Sequence, residues 1–359
     1  MIQKTKIAIY IGKFQPLHNS HKQIIEHCLN SYHRTIVLAG SSNRRISIIR
    51  PFGFNIAKQW IHSIKKADED LFVYPLKDYI YNEQKWITQV EDIIYRNLEL
   101  SGIDIDDVEI SIVGADKDES SYYLKSFPNF KFDEMELTNN NLSSTLIRDL
   151  WFSGKDFEDL VPESVSGVMR GIIEVPYCKI AGENTPTFAD LKEERAFYAK
   201  EKEMFASYPF QETLKFYCAD PVIVCDGNIL LVKRGQAPGK GSWALPGGFV
   251  NANETAKEAM VRELREETGL KVPAPVIKSL ANRSKIFDNP NRNIGIPRVS
   301  NAFYVEIFPD KNSKGMPKLP KVKGADDAAE AKWFPLAEVR HMSLFDDHND
   351  VIDAFVGIM

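Results

Sequence analysis

At 359 residues the chain exceeds what one hydrophobic core usually spans, so two domains are expected. Its composition, 43% hydrophobic, 11% aromatic and 26% charged, excludes disordered, collagen-like and coiled-coil classes. The net charge of −5 divides into −4 up to residue 180 and −1 beyond it, so neither half is a basic nucleic-acid module.

Residues 5 to 170 alternate β-branched runs with amphipathic stretches. Lys6–Ile11, Thr35–Gly40, Leu71–Tyr74 and Val108–Val113 read as strands, with helices at about 20–28, 55–66 and 84–99. That alternation predicts a parallel sheet covered by helices. Residues 181–207 open with Gly, Asn and Pro and become a charged run, which reads as a linker followed by a helix. From Phe216 the pattern turns β-rich, with Pro221–Cys225, Ile229–Lys233, Ser300–Phe308 and Lys332–Phe334 around one strong helix at about 254–268. The expected domains are therefore 1–180 and 208–359, the second of α+β class.

No apolar run approaches the roughly 20 residues of a membrane span, and Ile7 to Ile11 is too short for a signal core. The expectation is a cytoplasmic protein without membrane or nucleic-acid partners, leaving a homo-oligomer open. Cys28, Cys178, Cys218 and Cys225 form no CxxC pair and read as buried, reduced thiols.

The sharpest signal is GFVNANETAKEAMVRELREETGL, beginning at Gly248. At 100° per residue, Glu263, Glu266 and Glu267 fall at about 0°, 300° and 40°, so three carboxylates share one arc. Crowded like charges call for a cation, and hard oxygens suit Mg²⁺ or Mn²⁺. Met260, Val261, Leu264 and Thr268 form a neighbouring stripe suited to a core. Glu254 reads as a capping residue or a charge partner of Arg262. A solvated acidic face is the ordinary reading of a Glu-rich helix, but the fixed frame of Gly248, Glu254, Arg262, Glu263, Glu266, Glu267 and Gly269 resembles a complete Nudix box.

That resemblance implies hydrolysis of a nucleoside diphosphate linked to another moiety, with Gly247 and Glu263, Glu266 and Glu267 as the metal ligands. It places a general base in a downstream loop, where Asp326, Asp327 and Glu330 stand; Glu330 is the expected one. The segment Phe287 to Arg298 is similar to Nudix enzymes acting on ADP-ribose, so Arg234, Phe287 and Arg298 are its expected binding residues. A nucleotide sensor without turnover, or another nucleoside diphosphate derivative, is the alternative.

In the first half, Gly12–Lys–Phe–Gln–Pro–Leu–His18–Asn–Ser–His21 follows the first strand and opens a helix. Gly12 permits close backbone approach, and two histidines one turn apart at a helix N-terminus suit a phosphate. Leu142 to Arg148, LSSTLIR, opens another helix with three hydroxyls and a cation. Together these resemble nucleotidylyltransferases with HxGH and SSTxxR motifs on a Rossmann-like sheet, and within them archaeal-type NMN adenylyltransferases. The IRPF segment at 49–52, Asn82 and Trp86, and the Gly114–Ala–Asp116 turn add to the likeness. The whole chain resembles the bacterial fusions of such a domain with a Nudix domain.

The likeness implies transfer of AMP from ATP to NMN, giving NAD, with nicotinate mononucleotide or another acceptor as the alternative. His18 and His21 would meet the phosphates, and Lys13 and Arg148 would neutralise charge on the leaving pyrophosphate. Gly12, Phe14, Gly114, Ser143, Ser144 and Thr145 would bind ATP. For NMN, Arg50 would hold the phosphate, Asn82 the carboxamide and Trp86 the pyridinium ring. Two departures stand out: Ser20 replaces the usual Gly of HxGH, and Ala57 stands where relatives carry an Arg.

Overall fold

The computed structural model describes residues 4–115, 124–138, 142–174, 185–311, 315 and 317–357. Asp116, Cys178 and residues 181–184 of the expected linker lie outside them. The chain divides into two compact units, Met1–Gly182 and Glu183–Met359.

In the first unit β1 (Thr5–Gly12), β2 (Arg34–Ala39), β3 (Leu71–Pro75), β4 (Val108–Gly114) and β5 (Lys131–Glu134) form one sheet in the order β3-β2-β1-β4-β5. Every pairing is parallel. The central strands are buried along most of their length, which is why they read as continuous apolar runs rather than alternating ones. The helices α1 (Asn19–Ser31), α2 (Phe54–His62), α3 (Glu83–Leu100), α4 (Ser144–Phe152) and α5 (Glu163–Glu174) complete the unit. The strand order reverses between β1 and β4, so Gly12 and Gly114 end the two strands that flank the switch point. Ligands of open α/β sheets bind at such points.

In the second unit β6 (Phe216–Cys225), β7 (Asn228–Arg234), β10 (Arg283–Phe287), β11 (Arg298–Ile307) and β14 (Ala328–Pro335) lie in the order β10-β11-β6-β7-β14. Two short strands, β8 (Trp243–Ala244) and β9 (Gly248–Phe249), pair with β7 and β6; β12 (Asp310–Lys311) and β13 (Pro317–Lys318) form a separate ribbon. The sheet is mixed, because β11 runs parallel to β6 while the other pairings along it are antiparallel.

The box helix spans Ala256–Thr268. It starts after Glu254 because Thr255 and Glu258 form a capping box, and it ends at Gly269 in the left-handed conformation (φ 60°). Ala259, Met260, Val261 and Leu264 enter a core with Ile223, Val232 and Val305, which fixes the helix's rotation and leaves its carboxylates on the other side. A further helix, Phe188–Ala206, follows the linker and buries Leu191, Glu194, Tyr198 and Glu201.

Candidate functional sites

The loop leaving β1 is built around Phe14. Its ring is fully buried, and a Cβ on Gly12 would meet it at 2.8 Å, so residue 12 must be glycine. Phe14 also packs on His21 at 5.0 Å. The Phe14 ring thus fills the loop from beneath.

His18 is the N-cap residue of α1 and is buried, 3% exposed. Its ring stacks on that of His21 at 3.7 Å, and its N–H donates to His21 Nδ1 at 3.2 Å. In the neutral ring that bond assigns the His21 proton to Nε2.

A cleft beside this loop is lined by Lys13, Gln15, Ser41, Arg44, Arg50 and Phe52, among others. It brings together Lys13 and Arg50 from the sequence reading and adds Gln15, Ser41 and Arg44, which that reading missed. Neither histidine is among its lining residues. Asp78 holds the loop of Ser41 and Arg44, accepting from Ser41 Oγ at 2.7 Å and lying 3.6 Å from Arg44 Nε.

The second motif docks on the first. Ser143 caps α4 by accepting from the Leu146 N–H at 3.2 Å. Ser144 Oγ donates to the Pro16 carbonyl at 3.0 Å, Arg148 Nη1 to the Gln15 carbonyl at 2.6 Å, and Arg148 Nη2 to Thr145 Oγ1 at 3.0 Å. Asn82 caps α3 through Lys85, and Trp86 is half-buried, 6.0 Å from Phe127. A Cβ on Gly114 would meet Leu124 at 2.9 Å, so close packing explains that glycine.

In the second unit Arg262 organises the acidic face. It donates to Glu254 at 2.6 Å, to Glu263 at 2.7 Å, to Glu266 at 3.0 Å and to the Phe249 carbonyl at 3.0 Å. The Arg262 bonds, with help from the Asn251 N–H, hold the Glu254 carboxyl down to about 2. Glu254 is therefore a charge partner, and Thr255 is the cap.

Glu267 turns inward and accepts from the Gly247 N–H at 3.0 Å. Burial pushes its carboxyl up to about 8 and also raises that of Glu263. A Cβ on Gly248 would meet Glu263 Oε1 at 2.5 Å, so a larger residue there must displace that carboxylate. Among the described residues no group of three or more His, Cys, Asp or Glu side chains is gathered closely enough to hold a metal ion. Glu263 and Glu266 converge on Arg262, while Glu267 faces Gly247.

The loop after the box helix is tied to its end, with Lys323 N bonded to the Thr268 carbonyl and Ala325 N to the Glu267 carbonyl. Asp326 sits in this loop, and its charge acts on Glu263. Glu330 lies farther on, in β14, exposed beyond a bulge between Ala328 and Glu330. Asp326, in the loop whose charge reaches Glu263, and Glu330, exposed in β14, are thus set apart by the strand pairing, which spacing alone did not show. Phe287 is fully buried, its ring 6.4 Å from that of Phe355. Arg234 lies 4.3 Å over the Phe345 ring and donates to the Pro238 carbonyl at 2.7 Å. Arg298 pairs with Glu201 at 2.6 Å and lies 5.4 Å over the Phe249 ring.

Below this face is a buried polar network. Arg292 donates through two nitrogens to Asp347 at 2.9 Å each, and His348 Nδ1 accepts from the Leu245 N–H at 2.8 Å. Ser300 Oγ donates to buried Asp220, beside which Gly247 passes so closely that a Cβ would not fit. Sequence reasoning missed all of these; Asp220, one charge within an apolar strand, was the available signal.

Residues 219–355 match the family model described as NUDIX domain. An ADP-ribose pyrophosphatase of Methanocaldococcus jannaschii is 36% identical over 137 residues, 38% of this chain and 70% of that protein. A nicotinamide/nicotinic acid mononucleotide adenylyltransferase of Acinetobacter baylyi is 31% identical over 161 residues, 45% of this chain and 82% of that protein. A crystal structure of a bifunctional NMN adenylyltransferase/ADP ribose pyrophosphatase from Francisella tularensis, complexed with AMP and a manganese ion, aligns with a TM-score of 0.84 at 26% identity. It covers 98% of this chain and 99% of its own. The chain joins a member of the NMN adenylyltransferase family to a member of the Nudix family. In that fusion the NMN adenylyltransferase unit carries the histidine loop and α4, and the Nudix unit carries the box helix. None of the described helices is long and apolar enough to cross a membrane.

Proposed function

We propose that the chain joins two activities on pyridine nucleotides: its first unit transfers AMP from ATP to NMN, and its second hydrolyses ADP-ribose to AMP and ribose 5-phosphate. The observation that carries this reading is the likeness, over nearly the full length, to a protein that bears both names, in a chain holding both motif sets.

In the transferase an oxygen of the NMN phosphate attacks the α-phosphorus of ATP. The bond to the β-phosphate breaks, and pyrophosphate leaves with its electron pair. No covalent nucleophile is needed, so catalysis is alignment and charge stabilisation. His21, whose Nδ1 is engaged by the His18 N–H, would present Nε2 to a phosphate oxygen. Lys13, Arg44 and Arg50 would form the cationic wall for the acceptor phosphate. Arg148 stiffens the loop through Gln15 and would face the leaving group. Mg²⁺ would accompany ATP as part of that substrate.

In the hydrolase the Gly247 carbonyl with Glu263, Glu266 and Glu267 would hold Mg²⁺ or Mn²⁺. The donor chemistry fits, with hard carboxylate oxygens on one helix face beside a glycine turn, and holding the ion would require Glu263 and Glu266 to turn from Arg262 and Glu267 from the Gly247 N–H. When bound, the metal supplies Lewis acidity and lowers the pKa of water. Asp326 would take the proton from the attacking water, Arg262 keeps Glu263 and Glu266 together, and Arg298 and Phe249 would border the nucleotide.

The test is a pair of variants assayed for both products. Glu266→Gln should abolish AMP release from ADP-ribose and leave NAD formation intact, and His18→Ala should do the reverse. Loss of both activities in either variant contradicts two separable sites. Tight ADP-ribose binding by the wild type without AMP release, in Mg²⁺ or Mn²⁺, would establish a sensor instead.

A further inference from the structure

The histidine loop contains one polar side chain that the mechanism above leaves without a task. Gln15 stands among Phe14, Pro16 and Leu17 and is only 8% exposed. A buried primary amide is costly unless its oxygen and nitrogen both find partners. Here both go to a single residue: the Phe52 N–H donates to Oε1 at 3.0 Å, and Nε2 donates to the Phe52 carbonyl at 2.6 Å. Two opposed bonds to one residue are what a hydrogen-bonded pair exchanges in an antiparallel ladder. The side chain thus stands in for a neighbouring strand.

Phe52 is itself immobilised. It is 2% exposed and packs on Trp60 at 4.9 Å and Trp151 at 5.4 Å. Arg50, two residues earlier, closes a tight turn with Ser47 through bonds in both directions, 3.1 and 3.0 Å. On its other side the Gln15 carbonyl receives Arg148 and the Pro16 carbonyl receives Ser144. One residue therefore ties three chain segments together: the histidine loop, the Arg50–Gly53 loop and α4. Lys13, Gln15, Arg50 and Phe52 line the same cleft.

We propose that Gln15 is a positioning residue of the transferase: its amide fixes the distance between the histidine loop and the Arg50 loop, and so sets where the acceptor mononucleotide's phosphate lies. This rests on the function proposed above. Glutamate is excluded for a physical reason. Its carboxylate would accept from the Phe52 N–H but oppose the Phe52 carbonyl, and it would place negative charge in a cleft built for phosphate.

The experiment uses the full chain as wild type, Gln15→Glu, Gln15→Leu and Gln15→Asn. NMN and ATP are varied separately in NAD formation, and ADP-ribose hydrolysis is measured in the same preparations. Gln15→Glu and Gln15→Leu should raise the KM for NMN about tenfold or more, the factor expected when a buried backbone partner is left unsatisfied. The KM for ATP should stay within about twofold, hydrolysis should be unchanged, and Gln15→Asn should fall between wild type and Gln15→Leu. Unchanged KM values with only kcat reduced, or an equal rise in both, would overturn the proposal, since a loss of folded protein lowers kcat alone. Should the wild type make no NAD, the proposed activity itself fails. Calorimetric titration with NMN then decides the role of Gln15, and equal affinity in wild type and Gln15→Glu refutes it.

Discussion

The Arg148 guanidinium donates to the main-chain carbonyl of Gln15 at 2.6 Å, so a cation on α4 reads the backbone of the loop that carries His18 and His21. Its second nitrogen reaches Thr145 Oγ1 at 3.0 Å, and the fork is thereby fixed in plane. Arg148→Lys keeps the charge and loses the fork, and Arg148→Ala loses both. NAD formation should fall about tenfold in the first and on the order of 10² to 10³ in the second, as for removal of one preorganised donor. Initial rates check this, with ADP-ribose hydrolysis unchanged in both.

Gly248 is the point of closest approach between β9 and the box helix. A methyl group there would lie 2.5 Å from Glu263 Oε1, so Gly248→Ala should push the carboxylate off its bond with Arg262. Hydrolysis should drop at least about tenfold, consistent with a displacement of an ångström or so at a catalytic group. NAD formation should persist. Full hydrolytic activity in this variant would show that Glu263 need not sit where it does.

Asp347 and Arg292 form a buried pair with two bonds of 2.9 Å each. Asp347→Asn leaves the guanidinium buried without its counter-charge and should destabilise the Nudix unit by about 3 to 5 kcal/mol. His348→Leu strands the Leu245 N–H and should cost about 1 to 3 kcal/mol. Denaturant unfolding of the full chain, followed through loss of hydrolysis, measures both.

Glu254 supplies a pH dependence. Its folded carboxyl is held at about 2, below the ordinary 4.5, by the bonds from Arg262 and the Asn251 N–H. A depressed carboxyl stabilises the fold above its unfolded value, and that contribution is lost as the pH falls from about 4.5 toward 2. Glu254→Gln should therefore flatten the decline of the unfolding midpoint across that window. An identical decline in variant and wild type would assign the acid sensitivity to other carboxylates.

What could be read from the sequence was local. The apolar run of β1, the turn into α1 and the frame of the box helix each lie within one short stretch, where periodicity and capping chemistry act directly. The Asp220, Arg292, Asp347 and His348 network was not legible, because its members come from distant segments and meet only when the sheet closes. The burial of Phe14 and Phe287 was hidden for a related reason: both rings are fully enclosed, and the segments that enclose them are set by the fold rather than by the local motif. Asp326 and Glu330 could not be ranked by spacing, since the bulge that separates them is a property of strand pairing.

Arg262 joins Glu254, Glu263 and Glu266 through one planar group. The acidic face thus has an internal counter-ion that is part of the polypeptide, so its assembly does not wait for an outside charge. In this respect it is unlike small zinc modules, which unravel on chelation. Loading and stripping the ion should be a reversible adjustment of an already finished scaffold.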